Sequence, residues 1–112
     1  MNLAITREKT GVFFLTITQS DGTTPQDLTG LELWFHTVIN GIAIDKHSPS
    51  SGITIVDATG GLATLQIEPS DTAAIPASGI YSGDCELTLQ AGSEAYELVR
   101  GTFSVSPNVG LP

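Results

Sequence analysis

Ile67-Glu68-Pro69-Ser70-Asp71-Thr72-Ala73-Ala74-Ile75-Pro76-Ala77-Ser78-Gly79-Ile80-Tyr81-Ser82-Gly83-Asp84-Cys85-Glu86-Leu87-Thr88-Leu89 reads as the end of one strand, a helical turn, a Pro/Gly corner and the opening of a long second strand. Ser70 or Asp71 offers a side-chain oxygen to cap a single turn running to Ala74, and Pro76 stops it. From Ile80 the period is two, with Tyr81, Cys85, Leu87 and Leu89 on one face and Gly83 marking a bulge. A chain that leaves a strand, rounds a corner and starts another strand in this way is crossing between the two sheets of a sandwich. The stretch fixes an architecture and presents no catalytic group.

Working outward, alternation persists and helical periodicity is nearly absent. Leu3-Ala4-Ile5-Thr6 is a short first strand and reads as an edge. Val12 to Thr18 is apolar at both parities, which fits a strand near a sheet centre or one whose outer face meets a neighbour. Asp21-Gly22 marks a turn. In the next strand Leu31, Leu33, Phe35 and Thr37 share one face, and Glu32, Trp34, His36 and Val38 the other. Asn40-Gly41, set between Val38-Ile39 and Ile42-Ala43-Ile44, demands positive φ at both turn positions and so reads as a tight hairpin. Ile53 to Val56, then Leu62 to Ile67 with Ala63, Leu65 and Ile67 inward, form another pair around the Asp57–Gly61 turn. After the turn at Gly92-Ser93, Glu94 to Val105 is the last strand, with Gly101 as a second bulge position. The expectation is an all-β fold: one immunoglobulin-like antiparallel β-sandwich of seven to eight strands with one short helical turn near Ser70–Ala74. It places a single domain over residues 1–106 and a C-terminal tail over 107–112.

Composition narrows the function classes. The 112 residues suit one domain able to bury a core without staples. Twelve acids against four bases give a net charge of −8. Arg7, Lys9, Lys46 and Arg100 are scattered, so the basic footprint that nucleic acid requires is missing, and an anionic membrane surface is disfavoured. No apolar run approaches the ~20 residues of a membrane span. Cys85, alone of its kind, has no partner for an internal disulfide and reads as a buried, inert thiol. Met1 to Glu8 lack the basic start and apolar run of a signal peptide, so folding in a cytoplasm is expected.

The candidate chemistries are thin. His36 and His47 are the available neutral-pH bases, and no Gly-x-Ser-x-Gly elbow accompanies them, so no catalytic residues are assigned and an enzyme is not expected. Two histidines and one cysteine, widely separated, do not make a zinc set. Asp45, Asp57, Asp84, Glu86, Glu94 and Glu97 do not fall in a calcium-loop spacing. Asp84 and Glu86, at i and i+2 on an outward face, have the residue types for glycoside hydrolysis but read as a solvated strand face. No metal and no cofactor are expected. Trp34 reads first as core, as a lone Trp on such a strand usually does, and otherwise as an exposed aromatic anchor for a sugar or a protein. Tyr96 and Leu98, out of phase with Val99 and Phe103, would join it in an apolar strip marking an interface.

Several pieces carry a resemblance. Asp27-Leu28-Thr29-Gly30 leads into Leu31-x-Leu33-x-Phe35. Ala63-x-Leu65-x-Ile67 is followed by Ser70-Asp71-Thr72 and then by Gly79-x-Tyr81-x-x-Asp84. Gly101-Thr102-Phe103-Ser104-Val105 closes the run. Over roughly residues 12–106 this resembles the immunoglobulin-like domains of phage and prophage tails and baseplates, including the N-terminal domains of baseplate upper proteins. The resemblance implies a non-enzymatic virion structural protein, made in the bacterial cytoplasm and resident in the virion. Its implied partners are other virion proteins and copies of itself, with no nucleic acid and no membrane. The interface residues expected on that reading are Trp34, His36, Val38, Tyr96 and Leu98. The alternative is a carbohydrate-binding or adhesion sandwich using Trp34 or Tyr96.

Overall fold

The computed structural model describes residues 2–19, 21–48, 51–76 and 78–107. Among the described residues, eight strands and one helical turn follow in the order β1 (Asn2–Thr6), β2 (Gly11–Thr16), β3 (Glu32–Ile39), β4 (Ile42–His47), β5 (Ile53–Asp57), β6 (Leu62–Ile67), α1 (Pro69–Thr72), β7 (Tyr81–Ala91) and β8 (Glu94–Ser106). They form a five-stranded sheet in the order β1-β8-β7-β3-β4 and a three-stranded sheet in the order β2-β6-β5. This division, with the fourth strand added to the sheet of β3, β7 and β8, is that of an immunoglobulin-like sandwich. One ladder departs from antiparallel pairing: β1 runs parallel to β8, Asn2 opposite Thr102 through Thr6 opposite Ser106.

Alternation builds the core. Leu33, Phe35, Thr37 and Ile39 point inward from β3, Ala63, Leu65 and Ile67 from β6, and Cys85, Leu87 and Leu89 from β7. The Phe35 and Phe103 rings meet at a centroid distance of 5.9 Å, tilted by 52°, an arrangement that adds about 1 kcal/mol to the effect of area burial alone. Thr37 is the polar residue fully buried on β3. Its hydroxyl donates to the Asp84 carbonyl at 2.8 Å, so the isolated hydroxyl carries no unmet hydrogen bond. Asn40 and Gly41 take φ of 51° and 79° and close β3 onto β4 with Ile39 opposite Ile42, the two-residue turn that only residues tolerant of positive φ make without strain.

Three local expectations are corrected. β2 is the edge of the smaller sheet, not a central strand. Its apolar residues at both parities reflect an inner face in the core and an outer face left bare. Neither Gly83 nor Gly101 is bulged. The register shifts between Leu87 and Thr88, opposite Leu98, and again between Ile55 and Asp57. Gly83 is required for a different reason: a Cβ there would overlap the carbonyl oxygen of Val38, so its lack of a side chain lets β7 lie close to β3. The cap of α1 is Glu68 and not Ser70, and the turn ends at Thr72 short of Ala74. Asp71 works from the third helical position, its carboxylate accepting the Glu68 backbone N–H at 2.7 Å, half of a capping box.

The corner between β6 and β7 is tied to the rest of the molecule by charged side chains. Arg7, in the β1–β2 turn, donates to the carbonyls of Ile75 and Ala73. The hydroxyl of buried Thr72 accepts the Glu8 N–H at 2.8 Å, and Lys46 of β4 pairs with Asp71 at 2.7 Å. The C-terminal tail expected over 107–112 lies, from residue 108 onward, outside the described residues.

Candidate interaction surfaces

The inward set of β3 sends Glu32, Trp34, His36 and Val38 to the outer face of the five-stranded sheet. Pairing with β4 sets Trp34 opposite His47, His36 opposite Asp45 and Val38 opposite Ala43. Pairing with β7 sets Trp34 opposite Thr88 and His36 opposite Glu86. Trp34 is therefore an outside residue, 37% exposed. The core assignment fails because parity, not size, decides which face a strand residue takes, and Leu33 and Phe35 hold the inner positions on either side. The indole stacks on the His47 ring at 4.5 Å and 19°, and its N–H donates to the Glu32 carboxylate at 3.1 Å. Both contacts hold it in one orientation.

Charge surrounds this aromatic pair. Glu32, Asp45, Asp84, Glu86 and Glu97 share the face with Arg100. His36 Nδ1 is hydrogen-bonded to the Asp45 carboxylate. Arg100 donates to Glu97 at 2.7 Å and to Glu86 at 3.4 Å. The hydrogen bond to Glu97 and the charges of Glu97 and Glu86 raise its already high pKa, so it stays charged. His36, Val38, Asp84, Glu86 and Arg100 line a shallow depression of about 340 Å³. Glu32, Trp34 and Gln90, with Gly30 and Gly92, line a second of about 460 Å³. Cys85 borders the first but belongs to the core at 2% exposure. Desolvation pushes its thiol pKa up, which disfavours the thiolate that nucleophilic chemistry uses. Among the described residues no group of three or more His, Cys, Asp or Glu converges as metal ligands.

Of the five residues expected to form one strip, the fold brings three together and separates two. Trp34, His36 and Val38 are neighbours on the outer face. Tyr96 pairs with inward-facing Leu89 and lies on the opposite side of the same sheet, lining a depression of about 610 Å³ with Leu98, Thr18, Gln26 and Leu31. Leu98 is the extra residue of the β8 bulge and lines a groove of about 320 Å³ beside β2, with Leu15, Ile17, Leu87 and Val99. Tyr96 donates to the Glu94 carboxylate, and that bond raises the phenol's pKa.

A second bare surface lies on the smaller sheet. The outer face of the three-stranded sheet shows Val12, Phe14 and Thr16 on β2, Leu62, Thr64 and Gln66 on β6, and Thr54, the bulge residue Val56 and Asp57 on β5. Phe14 is 85% exposed and Val56 62%. Of these nine, Asp57 in the end row alone is charged. The signal for it was present in the chain, as apolar residues at Val12 and Phe14 out of phase with Phe13, Leu15 and Ile17.

The motif residues behind the family resemblance have structural tasks. The Asp27 carboxylate accepts the Thr29 N–H at 2.9 Å and its hydroxyl at 2.6 Å, turning the chain into β3 around buried Leu28. Asp71 and Thr72 hold the β6–β7 corner as described. Tyr81 opens β7 with its hydroxyl 3.1 Å from that of Ser78. Comparison of the chain with protein-family models and with curated proteins gives no match.

Proposed function

We propose that this chain is a non-enzymatic structural module that works by protein–protein assembly, in a phage or prophage virion and most simply in its tail or baseplate. The observation that carries the assembly reading is the Trp34 face. A large aromatic side chain is held rigid by His47 and Glu32 on an open sheet face, beside half-exposed Val38 and inside a ring of acids. A pre-oriented aromatic with a charged rim is the anatomy of a binding hot spot. The surplus of carboxylates there favours a partner presenting Lys or Arg, by steering and by complementarity. The virion setting rests on the motif run from Asp27 to Val105.

The test is light scattering after size exclusion across a concentration series, for the wild type and for Trp34→Ala. A defined oligomer, or a stable complex with a tail protein encoded beside it that Trp34→Ala weakens, supports the reading. A monomer at every concentration that binds a glycan through Trp34 replaces it. That second reading, a carbohydrate-binding module, draws on the depression where Trp34, Gln90 and Glu32 converge, because an aromatic with neighbouring amide and carboxylate groups suits a sugar's apolar face and hydroxyls. A glycan array with no signal removes it.

A further inference from the structure

The two outer faces differ in what they can meet. On the five-stranded sheet, two copies placed face to face would bring Glu32, Asp45, Asp84 and Glu86 against like charges. The three-stranded sheet has the opposite character. In a chain of net charge −8, its outer face holds Val12, Phe14, Leu62, Thr64, Gln66 and Thr54 with no charge among them. Asp57, opposite Leu62, carries the charge of its end row, and Glu68 follows the other end of β6. The carboxylate of Asp57 is occupied by the Gly60 N–H at 3.1 Å, and Glu68 accepts from the Gln66 amide at 2.5 Å. An apolar centre with acids only at the rim can be desolvated by a copy of itself without burying a charge.

The register supplies the shape. Phe14 lies opposite Thr64 and Thr64 opposite Thr54, so the three form one row across the sheet. The row is tall at the β2 end, where Phe14 stands 85% exposed, and low at the β5 end. Rotation by a half-turn about an axis parallel to the strands and above β6 lays β2 of one copy over β5 of the other. Each Phe14 then covers the Thr54 of the second copy, and Thr64 meets Thr64 at the centre. Tall meets low on both sides, which is the interdigitation that aligned sheet packing uses, and the contact is isologous and closes on itself.

We infer that the outer face of the β2-β6-β5 sheet is a self-association surface whose occupant is a second copy of this chain, with Phe14 packed on Thr54 in both directions. Three strands about 4.8 Å apart and about six residues long at 3.3 Å each give a flat footprint near 290 Å². Two such footprints sum to about 580 Å², below the ~1,000 Å² that a specific interface clears. The dimer is therefore weak alone and gains strength where other contacts tether the copies. This inference rests on the assembly reading and names one partner within it.

The experiment is sedimentation velocity from about 10 μM to 1 mM on the full chain and on Phe14→Lys, Thr54→Phe, Phe14→Thr/Thr54→Phe and Trp34→Ala. All changed side chains are exposed, and circular dichroism checks the fold of each. The wild type is expected to move from monomer to dimer across the range. Phe14→Lys and Thr54→Phe weaken association at least ~tenfold, the double variant recovers it by exchanging tall for low, and Trp34→Ala leaves it unchanged. Association that survives Phe14→Lys but fails with Trp34→Ala overturns this surface and leaves the assembly reading standing. A wild type that stays monomeric at 1 mM overturns the surface as well, and a hetero-complex through Trp34 would then still support assembly.

Discussion

Replacing Arg7 with methionine measures how firmly the β6–β7 corner is held from the β1–β2 turn. The guanidinium Nε donates to the Ile75 carbonyl at 2.5 Å and Nη2 donates to the Ala73 carbonyl at 2.6 Å. Ala73 is the C-cap of α1, so Arg7 satisfies carbonyls at and beyond a helix end, where no intrahelical donor exists. A hydrogen bond from a charged donor contributes about 1.5–3 kcal/mol when shielded. The Nε bond is partly buried and takes the lower figure. The exposed Nη2 bond is replaced by water and contributes about 0.5 kcal/mol, and the pairing with Glu8 adds little at the surface. Methionine keeps the stem and its packing, so the loss is about 2 kcal/mol. For a domain between the small and medium size classes this lowers Tm by roughly 8 °C. Urea unfolding followed by Trp34 fluorescence gives the free energy, and amide exchange gives its location. The midpoint is expected to fall with m unchanged, and the amides between Ile75 and Tyr81 to exchange faster while those of β3 do not. Arg7→Lys keeps the charge without the fork and recovers less than half. A methionine variant within about 0.5 kcal/mol of wild type would refute the reasoning, as would acceleration of exchange throughout the molecule.

Gly83→Ala is expected to destabilise by more than about 2 kcal/mol, because the new Cβ overlaps the Val38 carbonyl; a denaturation midpoint equal to wild type would contradict the close β3–β7 approach. The hydroxyl of Thr24, and then the amides of Thr24 and Thr23, hold the Asp21 carboxyl below its ordinary value of 3.8. Asp21 therefore favours the folded state above pH 3.8 and loses that contribution as pH falls through its lowered value. Carbon-detected NMR titration should show this midpoint below 3.8, and Thr24→Val should move it upward. Cys85 is buried with a raised pKa, so a disulfide reagent at pH 8 should label it slowly in the native protein and at the free-thiol rate in urea; fast native labelling would mean that β7 opens.

Strand faces and turns were legible because they depend on neighbours in sequence. Asn40-Gly41 specifies a turn on its own, and the inward set Ala63, Leu65 and Ile67 follows from period two. What the chain hides is decided by strands far away. β2 reads from composition as a central strand or as one whose outer face meets a neighbour, and it is an edge because β6 alone claims it. The β8 bulge falls at Leu98 and not at glycine, since a bulge answers to the register that both flanks of a ladder impose. The Trp34, Tyr96 and Leu98 strip fails for the same reason. Parity places Trp34 relative to Leu33, and separately Tyr96 relative to Leu89, but whether two strands point their polar sets the same way depends on the bulge between them.

The parallel ladder of β1 on β8 has a consequence for how the molecule forms. Asn2 and Thr102 are partners although 102 − 2 = 100 positions separate them. Their pairing waits for a long chain closure, and on the ribosome it waits until the domain's last strand has emerged. Hairpins such as β3–β4 are complete long before that. For most of synthesis, then, the five-stranded sheet lacks its final partner for β7 and the first strand has nowhere to bind. High contact order of this sort slows folding and prolongs the exposure of bare strand edges. The N-terminal segment acts in effect as a closing latch, set last, and a nascent chain arrested before Thr102 would hold the Asn2–Thr6 strand in an unpaired, protease-sensitive form.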